Sequence, residues 1–154
     1  MSDSLRRELR QSSAFGSLQE ATFLSVQRTA GVWMQNLSHN LRSYDLTPTQ
    51  YNVLRILRGA HPGSLTCSEI GDRMVTAVPD VTRLIDRLVA RRFAWKARDA
   101  ADRRVVKVEI SGQGLEMLAS LDARVLDWLE EMLSPLEESE MEALLELSEK
   151  ARAD

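Results

Sequence analysis

The sequence contains little of several residue types that mark specialised classes of protein. Its 154 residues include one cysteine, 4 prolines and 5% aromatic residues. The single cysteine, Cys67, excludes an internal disulfide framework and favours a reducing compartment. No apolar run approaches the roughly 20 residues that cross a bilayer, and no apolar segment of the signal-peptide type follows residues 1–11. We therefore expect a cytoplasmic protein that does not associate with a membrane.

The residue constellations of common enzymes and metal sites are also missing from the sequence. The two histidines, His39 and His61, have no cysteine near them, so no metal site is predicted. No nucleophile–base pair, phosphate-binding loop or pair of acid–base carboxylates is recognisable. The sequence therefore predicts a protein that is not an enzyme and that needs no cofactor.

Positive charge is scarce overall but concentrated in the middle of the chain. The formal net charge is -3, yet residues 49–110 hold 12 Lys+Arg against 7 Asp+Glu, and residues 111–154 hold 3 against 12. Because DNA affinity depends on the local field at the contact surface, the basic middle segment favours a nucleic-acid partner. The alternative is an ordinary fluctuation of charge along the chain.

Apolar spacing and capping motifs predict the helices of the first half. Apolar residues at spacings of 3 and 4 predict one long helix over residues 18–43. Thr47-Pro48-Thr49-Gln50 and Thr66-Cys67-Ser68-Glu69 are capping boxes, which open two further helices. After a turn at residues 75–77, Pro79 and Asp80 suit the first turn of a helix over residues 78–91.

The second half combines a hairpin with two more helices. Side chains that alternate with a period of two over residues 93–98 and 105–110 predict two strands, joined through residues 99–103. Ser111 is predicted to cap a long helix, and Ser134-Pro135-Leu136-Glu137 to open the last one. The fold class is therefore mainly α with a small β-hairpin wing (α+β), a winged helix-turn-helix. Long amphipathic helices at both ends predict a homodimer.

The second helix of a helix-turn-helix enters the major groove of duplex DNA. Its predicted outward face carries Thr82, Arg83 and Arg87, which suit base edges or phosphates. Asp80 and Asp86 lie on the same helix and would repel phosphate unless each pairs with an arginine. The alternative is a solvated charged face without a partner.

Three arginines of the hairpin favour a second DNA contact. Arg98, Arg103 and Arg104 fall within one hairpin, where a two-stranded ribbon would bring them to the minor groove. Asp102 lies two residues before Arg104, on the same side of an extended strand. We therefore predict that its carboxylate holds the Arg104 guanidinium in one orientation. An ordinary loop with solubilising charges is the alternative.

Over residues 20–150 the sequence resembles the MarR family of bacterial transcription regulators. Four segments carry the resemblance: Leu46-Thr47-Pro48-Thr49-Gln50-Tyr51-Asn52-Val53-Leu54, Leu65-Thr66-Cys67-Ser68-Glu69-Ile70, Val81-Thr82-Arg83-Leu84-Ile85-Asp86-Arg87-Leu88, and Asp102-Arg103-Arg104 with residues 106–111 and Gly114. The last two, in this order and separation, are the specific ones. The chain departs from the family at Arg92, where a glycine usually follows the recognition helix. A left-handed turn there would cost about 1 kcal/mol.

The resemblance implies a winged-helix homodimer that binds a pseudo-palindromic operator, most simply as a repressor. It implies one domain over residues 1–154, with a DNA-binding lobe at 45–112 and dimerisation helices at 15–44 and 113–154. Arg83 and Arg104 match DNA-contacting arginines of the family, and Asp102 matches the acid that orients Arg104. The family's thiol-based peroxide sensors carry a cysteine in the first helix, and this chain has no cysteine there.

A small aromatic or phenolic effector that releases DNA is also implied by the resemblance. The residues assigned to its pocket are Trp33, Leu37, Tyr51 and Leu54. A function of another class stays open, because the winged-helix fold also serves as a protein-interaction adaptor without DNA binding. The three arginines of the wing favour the DNA-binding function, since an adaptor does not need them.

Overall fold

The helices and strands of the computed structural model, which describes residues 3–153, fall into two units, Met1–Pro48 and Thr49–Asp154. The chain is mainly helical with one small antiparallel sheet, which confirms the predicted fold class. Across residues 3–153, none of the helices combines the length and the apolar character needed to span a membrane.

The first unit is built on one long helix, α2 (Leu18–Leu41), which follows a short helix, α1 (Asp3–Glu8). The Oγ of Ser17 accepts the backbone N–H of Glu20 at 3.1 Å and caps α2. The predicted long helix is confirmed, and Arg42–Tyr44 continue it as a 3-10 turn. Helix α1 was not predicted, because six residues are too few to show a helical period. A small apolar cluster of this unit consists of Leu5, Phe15 and Ala21.

Three helices open the second unit: α3 (Pro48–Ala60), α4 (Cys67–Asp72) and α5 (Val81–Ala90). The predicted capping box at the start of α4 is confirmed. The Oγ of Thr66 accepts the N–H of Glu69 at 3.2 Å, and the Glu69 carboxylate accepts the N–H of Thr66 at 2.7 Å. The Glu69 carboxylate also accepts the Thr66 hydroxyl at 2.9 Å. The bonds that this carboxylate accepts, first from the Thr66 backbone N–H and then from the hydroxyl, hold the pKa of Glu69 below its usual value.

The start of α5 differs from the predicted helix over residues 78–91. Asp80 is the N-cap rather than a first-turn residue, and its Oδ1 accepts the N–H of Arg83 at 2.8 Å. An aspartate side chain at this position satisfies a backbone amide that the helix itself leaves without a partner. Pro79 therefore precedes the helix, and α5 is shorter than predicted at its N-terminal end.

The sheet contains strands β1 (Leu65–Thr66), β2 (Ala94–Arg98) and β3 (Val106–Ile110) in the order β1-β3-β2. Strands β2 and β3 form the predicted hairpin, with Trp95 opposite Glu109 and Ala97 opposite Lys107. Strand β1 adds a third, antiparallel strand that no alternation could reveal, because it has only two residues. The hairpin is therefore anchored on one side by the segment that leads into α4.

Two helices end the second unit, α6 (Gly112–Leu133) and α7 (Glu138–Lys150). Ser111 caps α6 as predicted, since its Oγ accepts the N–H of Gly114 at 3.0 Å. The prediction that Ser134 opens the last helix is wrong. Ser134 is the C-cap of α6, and Glu137 and Glu140 form the capping box of α7. The Ser134 hydroxyl donates to the Glu131 carbonyl of α6 at 2.8 Å, so it does not cap a following helix, and the box of α7 lies three residues later.

The buried side chains of the second unit come from both helices and strands. The largest of them, each with less than 2% of its surface exposed, are Val53, Leu54, Leu57, Ile70, Ile85, Leu88, Val108, Leu118 and Leu121. They lie on α3, α4, α5, β3 and α6, so α5 and the hairpin are both fixed to buried apolar residues. Helix α7 contributes no buried residue.

Arg92 occupies the left-handed turn between α5 and β2, with φ of 61°. Its N–H donates to the Val89 carbonyl at 2.9 Å, and its carbonyl accepts the Ser111 hydroxyl at 2.6 Å. The left-handed turn that the sequence analysis considered at Arg92 is therefore present. A side chain with a Cβ is strained in this conformation, whereas glycine is not.

We expect Arg92→Gly to raise the free energy of unfolding by about 1 kcal/mol, because it relieves this strain. The midpoint of thermal unfolding should rise by about 3 °C. Arg92→Ala is the matched control, since it removes the guanidinium and keeps the strained Cβ. Urea unfolding that gives Arg92→Gly and Arg92→Ala the same stability would contradict this account.

Candidate nucleic-acid interface

Helix α5 separates a buried face from a polar one. Leu84, Ile85 and Leu88 are buried, whereas Thr82, Arg83, Asp86 and Arg87 are exposed. The sequence predicted this division from the period of 3.6 residues. It leaves the polar face of α5 available to a partner.

Neither carboxylate of this region, Asp80 or Asp86, pairs with an arginine side chain of residues 3–153, the condition under which the sequence left them compatible with phosphate. Asp86 forms a salt bridge with Lys96 of β2 rather than with an arginine, and Asp80 accepts the backbone amide of Arg83. The Lys96 ammonium reduces the negative charge on the face that carries Arg83 and Arg87. Lys96 was missed as a site residue because nothing in the sequence shows which cation lies across from α5.

The wing loop between β2 and β3 is closed by its own aspartates. The carboxylate of Asp99 accepts the N–H groups of Ala101 at 2.8 Å and Asp102 at 3.2 Å. These two backbone bonds hold the pKa of Asp99 below its usual value. The main chain adds a bond from Val105 N–H to the Asp102 carbonyl at 2.9 Å. The loop is therefore held in a defined shape.

Asp102 contacts Arg104 through the main chain. Its Oδ1 accepts the backbone N–H of Arg104 at 2.9 Å. The prediction that the carboxylate holds the Arg104 guanidinium is therefore wrong, because the carboxylate binds the Arg104 backbone amide instead. A carboxylate that accepts an amide two residues on forms an Asx turn. Asp102 thus fixes the path of the chain from which the Arg104 side chain extends.

The three predicted wing arginines divide into two roles. The Nη1 of Arg98 donates to the carbonyl of Arg103 at 3.1 Å and bridges the loop. Arg103 and Arg104 are both exposed. Within residues 3–153, the guanidinium groups of Arg83, Arg87, Arg103 and Arg104 form no hydrogen bond or ion pair. Four exposed cations on α5 and the wing are therefore available to phosphates or base edges.

Sequence reasoning missed a bond that fixes the turn of the helix-turn-helix. The Oδ1 of Asn52 on α3 accepts the N–H of Val75 at 3.0 Å. Arg58, also on α3, makes a two-pronged contact with the carboxylate of Asp122 on α6, at 2.9 and 2.8 Å. A polar residue of an amphipathic helix gives no signal of which distant group it contacts.

The residues assigned to an effector pocket lie on two helices. Trp33 and Leu37 are half-buried on α2, whereas Tyr51 and Leu54 are buried on α3. The guanidinium of Arg55 lies 5.9 Å from the centroid of the Tyr51 ring, a cation–π contact. The two pairs belong to different units. Among residues 3–153, no three His, Cys, Asp or Glu side chains are grouped to hold a metal ion.

A helix-turn-helix followed by a hairpin with exposed arginines defines the winged-helix class of DNA-binding protein. The model of the MarR family matches residues 44–105 of this chain. The chain is 32% identical over 119 residues to the HTH-type transcriptional repressor MdtR of Bacillus subtilis, covering 71% of this chain and 76% of MdtR. This chain belongs to the MarR family of transcription regulators.

Two solved structures share the fold at lower identity. A mutant MarR from E. coli complexed with operator DNA is 20% identical, with a TM-score of 0.78 over 99% of this chain and 100% of that one. BpsR of Bordetella bronchiseptica is 22% identical, with a TM-score of 0.77 over 87% of this chain and 100% of that one. DNA binding by BpsR is regulated by 6-hydroxynicotinic acid.

Proposed function

We propose that this protein binds duplex DNA sequence-specifically as a homodimer and represses transcription from a pseudo-palindromic operator. The observation that carries the proposal is the set of four exposed guanidinium groups on α5 and the wing, at Arg83, Arg87, Arg103 and Arg104. A helix face with cations and a hydroxyl suits the major groove, and a cationic ribbon suits the minor groove. The relative MdtR is named a repressor, which supports this sign of regulation.

The proposed residue roles follow from these positions. Thr82, Arg83 and Arg87 contact the major groove, and Arg103 and Arg104 contact the minor groove or its phosphates. Arg98 and Asp102 act on the loop, since their contacts are with its main chain. The compartment that this function requires is the one that contains the genome, which in bacteria is the cytoplasm. We propose no catalytic role, because the matched relative is named as a regulator.

Exposed apolar side chains on the terminal helices support the proposed homodimer. Large apolar residues that are more than 60% exposed occur on these helices at Leu18, Phe23, Val26, Leu126, Leu145 and Leu147. Long helices with apolar exposure of this kind bury it in an assembly. We therefore propose that residues 15–44 and 113–154 form the dimer interface and that residues 45–112 form the DNA-binding lobe.

The adaptor function is less well supported. An adaptor would not require cations on both α5 and the wing tip. The two functions are separated by fluorescence anisotropy with the duplex upstream of the protein's own gene and a shuffled duplex of equal length. We expect binding tighter by at least about 1,000-fold for the first at physiological salt. Equal affinities would support the adaptor.

We also propose release by a small aromatic ligand that contacts some of Trp33, Leu37, Tyr51 and Leu54. The proposal rests on the family and on the regulation of BpsR by 6-hydroxynicotinic acid. Aromatic carboxylates and phenols, including 6-hydroxynicotinic acid, are expected to raise the melting temperature and lower operator affinity, because they bind the DNA-free state better. Trp33→Ala should weaken both responses. A panel in which no compound changes either quantity would contradict ligand control.

A further inference from the structure

Val75 is the most exposed large apolar side chain of residues 3–153, with 86% of its surface accessible. It does not lie on a terminal helix. It lies in the turn between α4 and α5, six residues before the first residue of α5. The dimer proposed above therefore gives no reason for this exposure.

The turn that carries Val75 is fixed to the body of the lobe. The Asn52 side chain accepts the Val75 N–H at 3.0 Å. Asn52 lies on α3 next to Val53 and Leu54, both of which are 0% exposed. Since these neighbours fix α3, the Asn52 bond fixes the main chain of Val75. A valine side chain has one strongly restricted torsion, so it loses little freedom when it binds.

The chemistry of the surrounding segment favours a base edge over a phosphate. Residues 74–79 contain no charged side chain, whereas Arg73 precedes them and Asp80 follows. Thr76 and Ala77 in this segment are also exposed. Phosphates are bound by cations and by hydrogen-bond donors. The 5-methyl group of thymine is the apolar group that base pairs present in the major groove.

We propose that Val75 contacts the 5-methyl group of a thymine in each operator half-site and that Asn52 is the positioning residue for this contact. The segment that carries Val75 joins the first residue of α5 six residues further on, and the first residues of a recognition helix are those that contact base edges. The inference rests on the proposed DNA binding and adds a residue that determines sequence preference. Val75 reads a base through shape and apolar contact, and the arginines supply the attraction to phosphate.

The test replaces thymines of the operator by deoxyuridine, one symmetric pair at a time, and measures the dissociation constant. Deoxyuridine keeps the base pairing and lacks only the 5-methyl group. For one symmetric pair we expect the wild-type affinity to fall about fourfold per methyl group, and therefore about fifteenfold when the methyl groups of both half-sites are removed. Val75→Ala should lose a similar factor on the thymine operator and show no further loss with deoxyuridine. Such non-additivity identifies a direct contact.

Val106→Ala is the matched control, because it removes the same atoms from another exposed valine, on β3. It should keep the full response to deoxyuridine. Asn52→Leu should abolish the response to deoxyuridine, while the salt dependence of its operator binding stays that of the wild type. Asn52→Asp keeps the acceptor oxygen and should therefore keep the response to deoxyuridine. A role of Asn52 in stability alone would change unfolding and leave the response to deoxyuridine intact.

Two results would overturn the inference. Wild-type protein that binds every deoxyuridine operator as it binds the thymine operator would show that no methyl group is read. A thymine pair that matters equally to wild type and Val75→Ala would assign the reading to another residue. In both cases sequence-specific binding persists, so the proposed function stands. Failure to bind any duplex specifically would overturn both.

Discussion

Replacing Arg104 with alanine is expected to weaken operator binding by about 1–3 kcal/mol per half-site and to flatten its dependence on salt. The exposed guanidinium leaves the wing loop beside the Asp102 turn, where a narrow minor groove attracts positive charge. A dimer carries two such arginines, so the loss counts twice. The measurement is a titration of operator affinity over a series of salt concentrations, with circular dichroism to confirm folding.

The controls separate charge, loop shape and position. Arg10→Ala removes an equal charge from an exposed position between α1 and α2 and should leave affinity nearly unchanged. Asp102→Ala should weaken binding less than Arg104→Ala, because it frees the Arg104 amide and keeps the guanidinium. Arg83→Ala should weaken binding and, where Arg83 reads a base, relax sequence preference. A folded Arg104→Ala that binds as the wild type does at every salt concentration would contradict the role of the wing.

The double variant Leu145→Glu with Leu147→Glu is expected to separate the dimer and lower operator affinity by at least about 100-fold. Both leucines are more than 60% exposed on α7, so the new charges stay in solvent in the isolated chain. In an apolar interface the same charges would be desolvated without a partner. A monomer binds one half-site only. It loses the gain in affinity that a dimer obtains because its second subunit is already held close to the second half-site.

Sedimentation at micromolar concentration measures this effect directly. The wild type should sediment as a dimer, with an interface beyond about 2,000 Å², and the double variant as a monomer. Lys150→Glu is the matched control, since it changes charge on the same helix outside the apolar positions, and it should remain dimeric. A wild type of monomeric mass would remove the basis for a pseudo-palindromic operator.

The fold was predictable where the signal is local. The period of α5 and the alternation of the hairpin each repeat a face often enough to be recognised, and the Thr66 and Ser111 caps follow from short motifs. Elements of two or six residues, β1 and α1, are too short for any period. The start of α7 was misplaced because the Ser134 hydroxyl bonds to a carbonyl of α6, which the sequence motif does not reveal.

The candidate site was predictable in its residues but less so in its contacts. The exposed face of α5 and the arginines of the wing follow from position alone. The Asx turns of Asp99 and Asp102 were also within reach of the sequence, because aspartate commonly binds an amide two residues on. The pairs Asp86–Lys96 and Asn52–Val75 join residues that only the folded chain brings together. Their prediction requires tertiary structure.

The central claim, that this chain is a dimeric reader of DNA sequence, is tested most directly by selection from a pool of random duplexes at physiological salt. The account predicts enrichment of one inverted repeat whose half-sites are centred about 10 base pairs apart, bound by two chains per duplex. Arg104→Ala should enrich the same repeat with lower affinity. A wild-type selection that enriches no sequence, or a single half-site without symmetry, would contradict the account.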